Sequence, residues 1–353
     1  MKTWITKALM TCSIVGVGAV TLGSTSLVAL PGVSAVAFAE ERPEVESPES
    51  ESSDFESYVE LLKTKALEHG ISEATIERAF ADIRVYERAI SADRNQPERV
   101  LTLDTYLPRA VPDWKVQQGI EKYNEHRELL EEVGKKFGVQ PRFIVALWGI
   151  ETNYGGYTGN FRVVSALATL AWEGRREEFF TRQLMQALEI IEAGHIEPEQ
   201  MRGSWAGAMG QTQFMPSSFL SYAIDFDEDG KMDIWNSFPD VFASAANYLN
   251  QVGWNDDVTW GRQVQIPADF DQSLAGLSTK KPLAEWQALG VRRYDGSDLP
   301  TRGDIEASLI IPDDENGRIY LAYSNWDALM RWNRSNYFVV AVGHLADRIQ
   351  LGR

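Results

Sequence analysis

Hydrophobic residues recur at helical spacing through most of the chain from Phe55 onward. Phe55 to His69 is amphipathic and stops at Gly70, and Ser72 stands where it can cap a helix running to Ala81. Trp114 to Phe137 reads as one long polar helix ending near Gly138. Pro141 suits the first turn of an apolar helix that runs to about Glu151. Further helical periods cover Arg162 to Trp172, Glu177 to Ala193, Pro216 to Ile224 and Asp240 to Val252. The pattern changes after Gly253. Residues 254–320 alternate Val, Ile and Thr between turn residues, and Val258 to Ile266 and Ala307 to Ile311 read as strands. Trp326 to Ile349 returns to helix. The predicted class is mainly α, of the α+β kind: a helical body carries a β-containing insertion at about 254–320 and a C-terminal helix at about 326–349.

The first residues follow a different rule. Lys2 and Lys7 precede an apolar run from Ala8 to Leu22, and no acid appears before Glu40. Ala37-Phe38-Ala39 has the small-x-small form of a processing site, so residues 1–39 read as a cleaved secretory signal. The alternative is an uncleaved anchor, but Gly23-Ser24-Thr25-Ser26 interrupts the run and leaves it short for a span. Residues 40–54 are rich in Glu and Ser with two prolines, and read as an acidic, disordered linker to a folded region at 55–353.

Composition narrows the chemistry. The 353 residues include 51 acidic and 34 basic side chains, a net charge of −17, and 44% are apolar. That is enough apolar material for a core, and the acidity argues against a nucleic-acid partner. Cys12 is the only cysteine and falls within the signal, in a poor setting for lipidation, which leaves no disulfide framework and no thiolate metal site. The four histidines are scattered, with neither metalloprotease nor triad spacing.

Three segments can carry chemistry. In the first, an apolar run from Ile144 delivers Glu151 at a helix C-terminus. The negative end of the helix dipole and burial both disfavour ionisation there, which is what a general acid needs. The competing reading is a surface Glu beyond a buried helix. The second segment, residues 203–218, mixes small residues with Ser204, Gln211, Gln213 and the flat rings of Trp205 and Phe214. Neutral amides beside aromatic planes suit sugar rings, and a tightly packed interhelical loop is the alternative. The third is Asp225-x-Asp227-x-Asp229-Gly230, with Asp233 following. It fits a calcium loop in which the Lys231 carbonyl is the main-chain ligand. The usual closing Glu is replaced by Asn236, and Asp240 could close a longer loop. An acidic turn without an ion is the alternative.

Together these segments resemble the membrane-bound lytic murein transglycosylase B family, which cuts peptidoglycan. The resemblance rests on E-T-N-Y-G at 151–155, G-S-W-A-G-A-M-G-Q-T-Q-F-M-P-S-S at 203–218, the acidic loop with Asp240, A-N-Y at 246–248 and W-N-R-S at 332–335. It implies a lysozyme-like core with added helical and small β subdomains and an EF-hand-like calcium loop. It implies that Glu151 is the single acid/base, and that Ser204 and Gln213 hold the sugar near it. Tyr106, Arg175, Arg176, Tyr248 and Asn333 match cleft positions. Asp225, Asp227, Asp229, Lys231 and Asp240 match a structural calcium site, with no organic cofactor. The implied partners are peptidoglycan glycan strands in the periplasm or cell envelope, with proteins of wall synthesis or division as candidates. Family members often carry Tyr where this chain has Trp332 and Phe338, which puts hydroxyl contacts at those positions in question. A hydrolase using water on the same fold and a non-catalytic glycan-binding scaffold are the rival functions.

Overall fold

The computed structural model describes residues 48–352 except 95–100 and 315. The signal segment and residues 40–47 of the linker lie outside the described residues. The first helix, α1 (Pro48–Glu68), begins earlier than its apolar face predicts. It is followed by α2 (Glu73–Phe80), α3 (Glu87–Arg94) and α4 (Leu103–Ala110). Ser72 caps α2 as expected, its hydroxyl accepting the Thr75 N–H.

The predicted helix over 114–137 is two helices, α5 (Asp113–Glu125) and α6 (Arg127–Phe137), broken at His126. The His126 ring turns inward against Trp148, Phe238 and Phe242, its centroid 4.5 Å from that of Phe238. That tertiary contact overrides a local sequence with no Gly or Pro at the break. At the centre lies α7 (Pro141–Thr152), buried over nearly its whole length. Against it pack α5, α6 and α11 (Phe238–Gln251), while α8 (Val163–Trp172), α9 (Glu177–Glu192) and α10 (Pro216–Tyr222) pack on one another and meet α11 through α10. The short pair β1 (Phe161–Arg162) and β2 (Arg202–Gly203) is antiparallel.

The insertion contains β3 (Gly261–Gln265), β4 (Lys281–Pro282), α12 (Leu283–Ala288), β5 (Arg292–Arg293), β6 (Glu306–Ile310) and β7 (Ile319–Ala322). Its strands form one antiparallel sheet in the order β4-β6-β7-β3-β5. Strand alternation sorts the two faces. Leu309, Ile319 and Leu321 join a small separate core around Trp286, while Ile310, Tyr320 and Ala322 pack into the helical body. The C-terminal helical stretch is also two elements, α13 (Ser324–Trp332) and α14 (Asn336–Gly352). Asn333 breaks it with an extended backbone. Helix α14 lies against α7, with Asp347 bonded to Arg142 near the start of α7. The break at Asn333 therefore places Trp332 beside the other end of α7, where Glu151 lies.

Candidate active site

The chain leaves α7 through a forced turn. Asn153 and Tyr154 both take positive φ, at 50° and 59°, followed by Gly155. Left-handed backbone is costly for residues with a Cβ, and packing fixes it here. The Tyr154 ring is buried, and its hydroxyl donates to the Lys115 carbonyl at 2.8 Å. A Cβ on Gly155 would collide with the Gln211 side chain, so only glycine fits this turn.

Gln211 ties the first motif to the second. Its Oε1 accepts the Trp148 indole N–H at 2.7 Å, and its Nε2 donates to the Trp235 carbonyl at 2.8 Å. Thr152 Oγ1 lies 3.2 Å from the Gln211 carbonyl and accepts the Gly155 N–H at 3.0 Å. A few residues on, Gln213 Nε2 donates to the Thr158 and Gly210 carbonyls, each at 3.0 Å. Two carbonyl acceptors at one end of this amide identify that end as the NH₂ group. Gln213 Oε1 is left as an acceptor with no partner among the described residues. The Ser204 hydroxyl accepts the Ala208 N–H at 3.0 Å, which leaves its own proton to donate.

Glu151 retains partial solvent access yet is packed deeply enough that burial pushes its carboxyl up from 4.5 to about 7. One hydrogen bond opposes that rise: Trp332 Nε1 donates to Glu151 Oε1 at 2.7 Å. Tyr106 on α4 stands close enough to feel the Glu151 charge, and burial first, then that charge, push its phenol to about 12. Among the described residues, Trp332 is the side chain resolved as acting on Glu151, and Tyr106 responds to the Glu151 charge. The Trp332 ring meets Tyr248 edge-on, 4.7 Å away, and Phe214 at a tilt, 5.3 Å away.

The other expected cleft residues divide. Tyr248 is beside the site, but its hydroxyl is spent on the Arg331 carbonyl at 2.8 Å, so it contributes a ring wall. Asn333 ends α13, directly after Trp332. Arg175 is committed to Asp93, whose carboxylate its Nε reaches at 2.5 Å, and Arg176 lies over the rings of Phe179 and Phe180. Phe338, lacking a hydroxyl, is core. Sequence reading missed the Trp332 donor and the Gln211 link, because each is made only by tertiary approach across 181 and 63 residues.

The acidic loop folds as a turn. Carboxylate oxygens of Asp225, Asp227 and Asp229 all lie within 4.8 Å of one another. Asp225 accepts the Asp229 and Gly230 N–H groups at 3.1 and 2.9 Å, and Asp229 accepts that of Lys231 at 2.8 Å. Three converging carboxylates form an all-oxygen donor set of the kind a hard divalent cation takes. Asp240, expected as the closing ligand, stands outside this cluster. It is fully buried, and its two oxygens accept the Phe226 and Asp233 N–H groups at 2.7 and 2.8 Å. Its packing inside α11 makes it a brace across the loop.

A carboxyl of raised pKa beside the Trp332, Tyr248 and Phe214 rings, in a body of lysozyme-like fold, is the centre of a glycan-cleaving enzyme. Residues 54–347 match the transglycosylase SLT domain, and the chain belongs to that family. It is 33% identical over 252 residues to membrane-bound lytic murein transglycosylase B of Escherichia coli K12, covering 70% of this chain and 67% of that one. SltB3 of Pseudomonas aeruginosa, solved in complex with NAG-NAM-pentapeptide, superposes with a TM-score of 0.82 at 43% identity, covering 84% of this chain and 80% of that one. The Escherichia coli lytic transglycosylase Slt35, solved in complex with calcium, gives a TM-score of 0.72 at 28% identity over 85% of this chain and 93% of that one.

Proposed function

We propose that this lytic transglycosylase cleaves the β-1,4 bond between N-acetylmuramic acid and N-acetylglucosamine in peptidoglycan glycan strands, leaving 1,6-anhydromuramyl ends. The observation that carries the reading is Glu151, raised to about 7 with no second carboxylate resolved as acting on it among the described residues. An ordinary retaining glycosidase needs a second carboxylate as nucleophile. A carboxyl poised near neutrality can serve twice, as acid and then as base.

Neutral Glu151 donates its proton to the leaving glycosidic oxygen as the anomeric bond breaks. Positive charge develops on the muramyl ring, and the substrate's own N-acetyl oxygen shares it. Gln213 Oε1 is disposed to accept the acetamido N–H, and the Ser204 hydroxyl to donate to a sugar oxygen. Ionised Glu151 then takes the proton of the muramyl 6-hydroxyl, whose oxygen bonds to the anomeric carbon and closes the anhydro ring. No water is consumed, and Glu151 ends protonated. Among the cleft candidates, Tyr106, Tyr248 and Asn333 flank this centre, with Arg175 and Arg176 acting at most at its margin.

Asp225, Asp227 and Asp229, with the Lys231 carbonyl, would hold a structural calcium ion remote from the chemistry, and Asp240 would brace that loop. No described helix is long and apolar enough to cross a membrane. The export signal read at 1–39 and the likeness to a membrane-bound murein enzyme support work in the periplasm or cell envelope.

The test is mass spectrometry of muropeptides released from purified sacculi, with Glu151→Gln as control. Products one water lighter than hydrolysed muropeptides, absent with the variant, are expected. Full-mass reducing products would make the enzyme a muramidase; binding without release would make it a scaffold.

A further inference from the structure

We infer that Trp332 is a positioning residue that fixes which oxygen of Glu151 carries the catalytic proton. The inference rests on the role of Glu151 as acid then base. An indole N–H donates and never accepts. Trp332 Nε1 lies 2.7 Å from Glu151 Oε1, so that oxygen is an acceptor whether the carboxyl is neutral or ionised. In the neutral form a carbonyl oxygen accepts far better than a hydroxyl oxygen, so the bond favours the proton on Oε2. A carboxylic acid in bulk water exchanges its proton freely between both oxygens; here the arrangement with the carbonyl oxygen on the indole N–H is preferred. The acid is thus aimed before substrate arrives, a form of preorganisation.

The same bond serves the second half of the reaction. Once Glu151 has given up its proton, the indole N–H stabilises the carboxylate in a closely packed setting, where such a bond is stronger than in water. It limits how far burial raises the group, which keeps both protonation states within reach of neutral pH. Trp332 itself has little freedom to turn away. Tyr248 and Phe214 hold its ring, and Tyr248 anchors the chain at the preceding residue through the Arg331 carbonyl. The titratable group facing Glu151 from α4 is Tyr106, with the Tyr337 ring behind it on α14; the α11 group is Tyr248, which reaches Glu151 only through Trp332. The aromatic motif position thus supplies its hydrogen bond through nitrogen, where a phenol would use oxygen.

The experiment is the pH profile of kcat and kcat/KM on sacculi for Trp332→Phe and Trp332→Tyr in the full chain. Trp332→Phe keeps the ring wall but removes the donor. Its kcat is expected to fall about tenfold with KM nearly unchanged, and its alkaline limb to move up by roughly one pH unit. Trp332→Tyr restores a donor and should lie between the two. A wall-filling role alone would leave the limb in place, so a folded Trp332→Phe with unchanged kcat and limb overturns the inference. It would leave the assignment of Glu151 standing, since that falls only if Glu151→Gln stays active. Should Trp332→Phe fail to fold, NMR of the unsubstituted protein decides. One indole N–H resonance should titrate with the Glu151 midpoint and lose that titration in Glu151→Gln; no such resonance overturns the inference.

Discussion

Gln211 and Trp148 are joined by a buried bond of 2.7 Å that locks the loop of the second motif onto the helix that ends in Glu151. The other end of the same amide holds the Trp235 carbonyl beyond the acidic loop. One side chain thus links three segments that carry the chemistry and its support. Replacing Gln211 by Leu would strand a buried indole N–H and a carbonyl. Unmade buried bonds cost about 1–3 kcal/mol each, so Gln211→Leu is expected to lose roughly 2–4 kcal/mol of stability and lower kcat. Urea denaturation with activity measured well below the transition would check this; an unchanged midpoint would show that the link carries no weight.

Glu151 trades stability for function. Its folded value of about 7 stands above the ordinary 4.5, so folding favours the neutral form. The stability from that preference is fully present below about pH 4.5 and is lost as pH rises through 7. Gln is neutral at every pH and can still accept the Trp332 N–H. Glu151→Gln is therefore expected to match the parent near pH 4 and exceed it by roughly 2–3 kcal/mol at pH 8.5, while turnover disappears. Thermal melts at the two pH values test the sign. An equal shift at both would mean that the carboxyl is not raised in the folded protein.

How much of this was legible beforehand follows from what is local. The apolar run of α7, the Ser72 cap and the acidic turn are written in neighbouring residues, and each is found where the pattern puts it. The break at His126 is not, because an aromatic cluster from α7 and α11 produces it. The same holds at Asn333, where a pattern that reads as one helix turns between α13 and α14 and so delivers Trp332 to Glu151. Helices α3 and α4 are short and polar, and their stability comes from packing that no single segment announces. Glu151 could be singled out as an acid from its flanking residues, but the group that tunes it could not.

Arg175 matches a cleft position in sequence, yet its guanidinium serves Asp93, whose side chain is 1% exposed. Losing the arginine would strip a buried carboxylate of its hydrogen-bonded countercharge, with only the more distant charge of Arg176 left to it. Arg175→Ala is expected to cost about 3 kcal/mol, and the folded remainder to keep nearly its full kcat and KM. Arg175→Ala combined with Asp93→Asn should recover much of the loss, since an amide tolerates the site without a cation. A large rise in KM in the single variant with stability intact would instead put Arg175 on the glycan.

The acidic loop makes a prediction of bounded size. Asp225, Asp227 and Asp229 converge, but their oxygens also accept N–H groups of the loop itself, and Asp240 braces the turn from inside. The turn is therefore shaped by main-chain bonds, and a cation would relieve the mutual repulsion of carboxylates already in place. Calcium should stabilise without being required for folding. At a hundredfold excess over Kd, mass action supplies about 2.7 kcal/mol, so Tm is expected to rise by about 5 °C and to return on chelation. Magnesium should do less, because its small octahedral shell fits a flexible carboxylate loop poorly. Asp225→Asn should abolish the calcium dependence while leaving turnover at 25 °C nearly unchanged, since the bonds Asp225 makes stay within the loop. Calorimetry would give the binding directly. A Tm indifferent to calcium, with no heat of binding at millimolar metal, would make this segment an acidic turn held by its own N–H bonds and by Asp240.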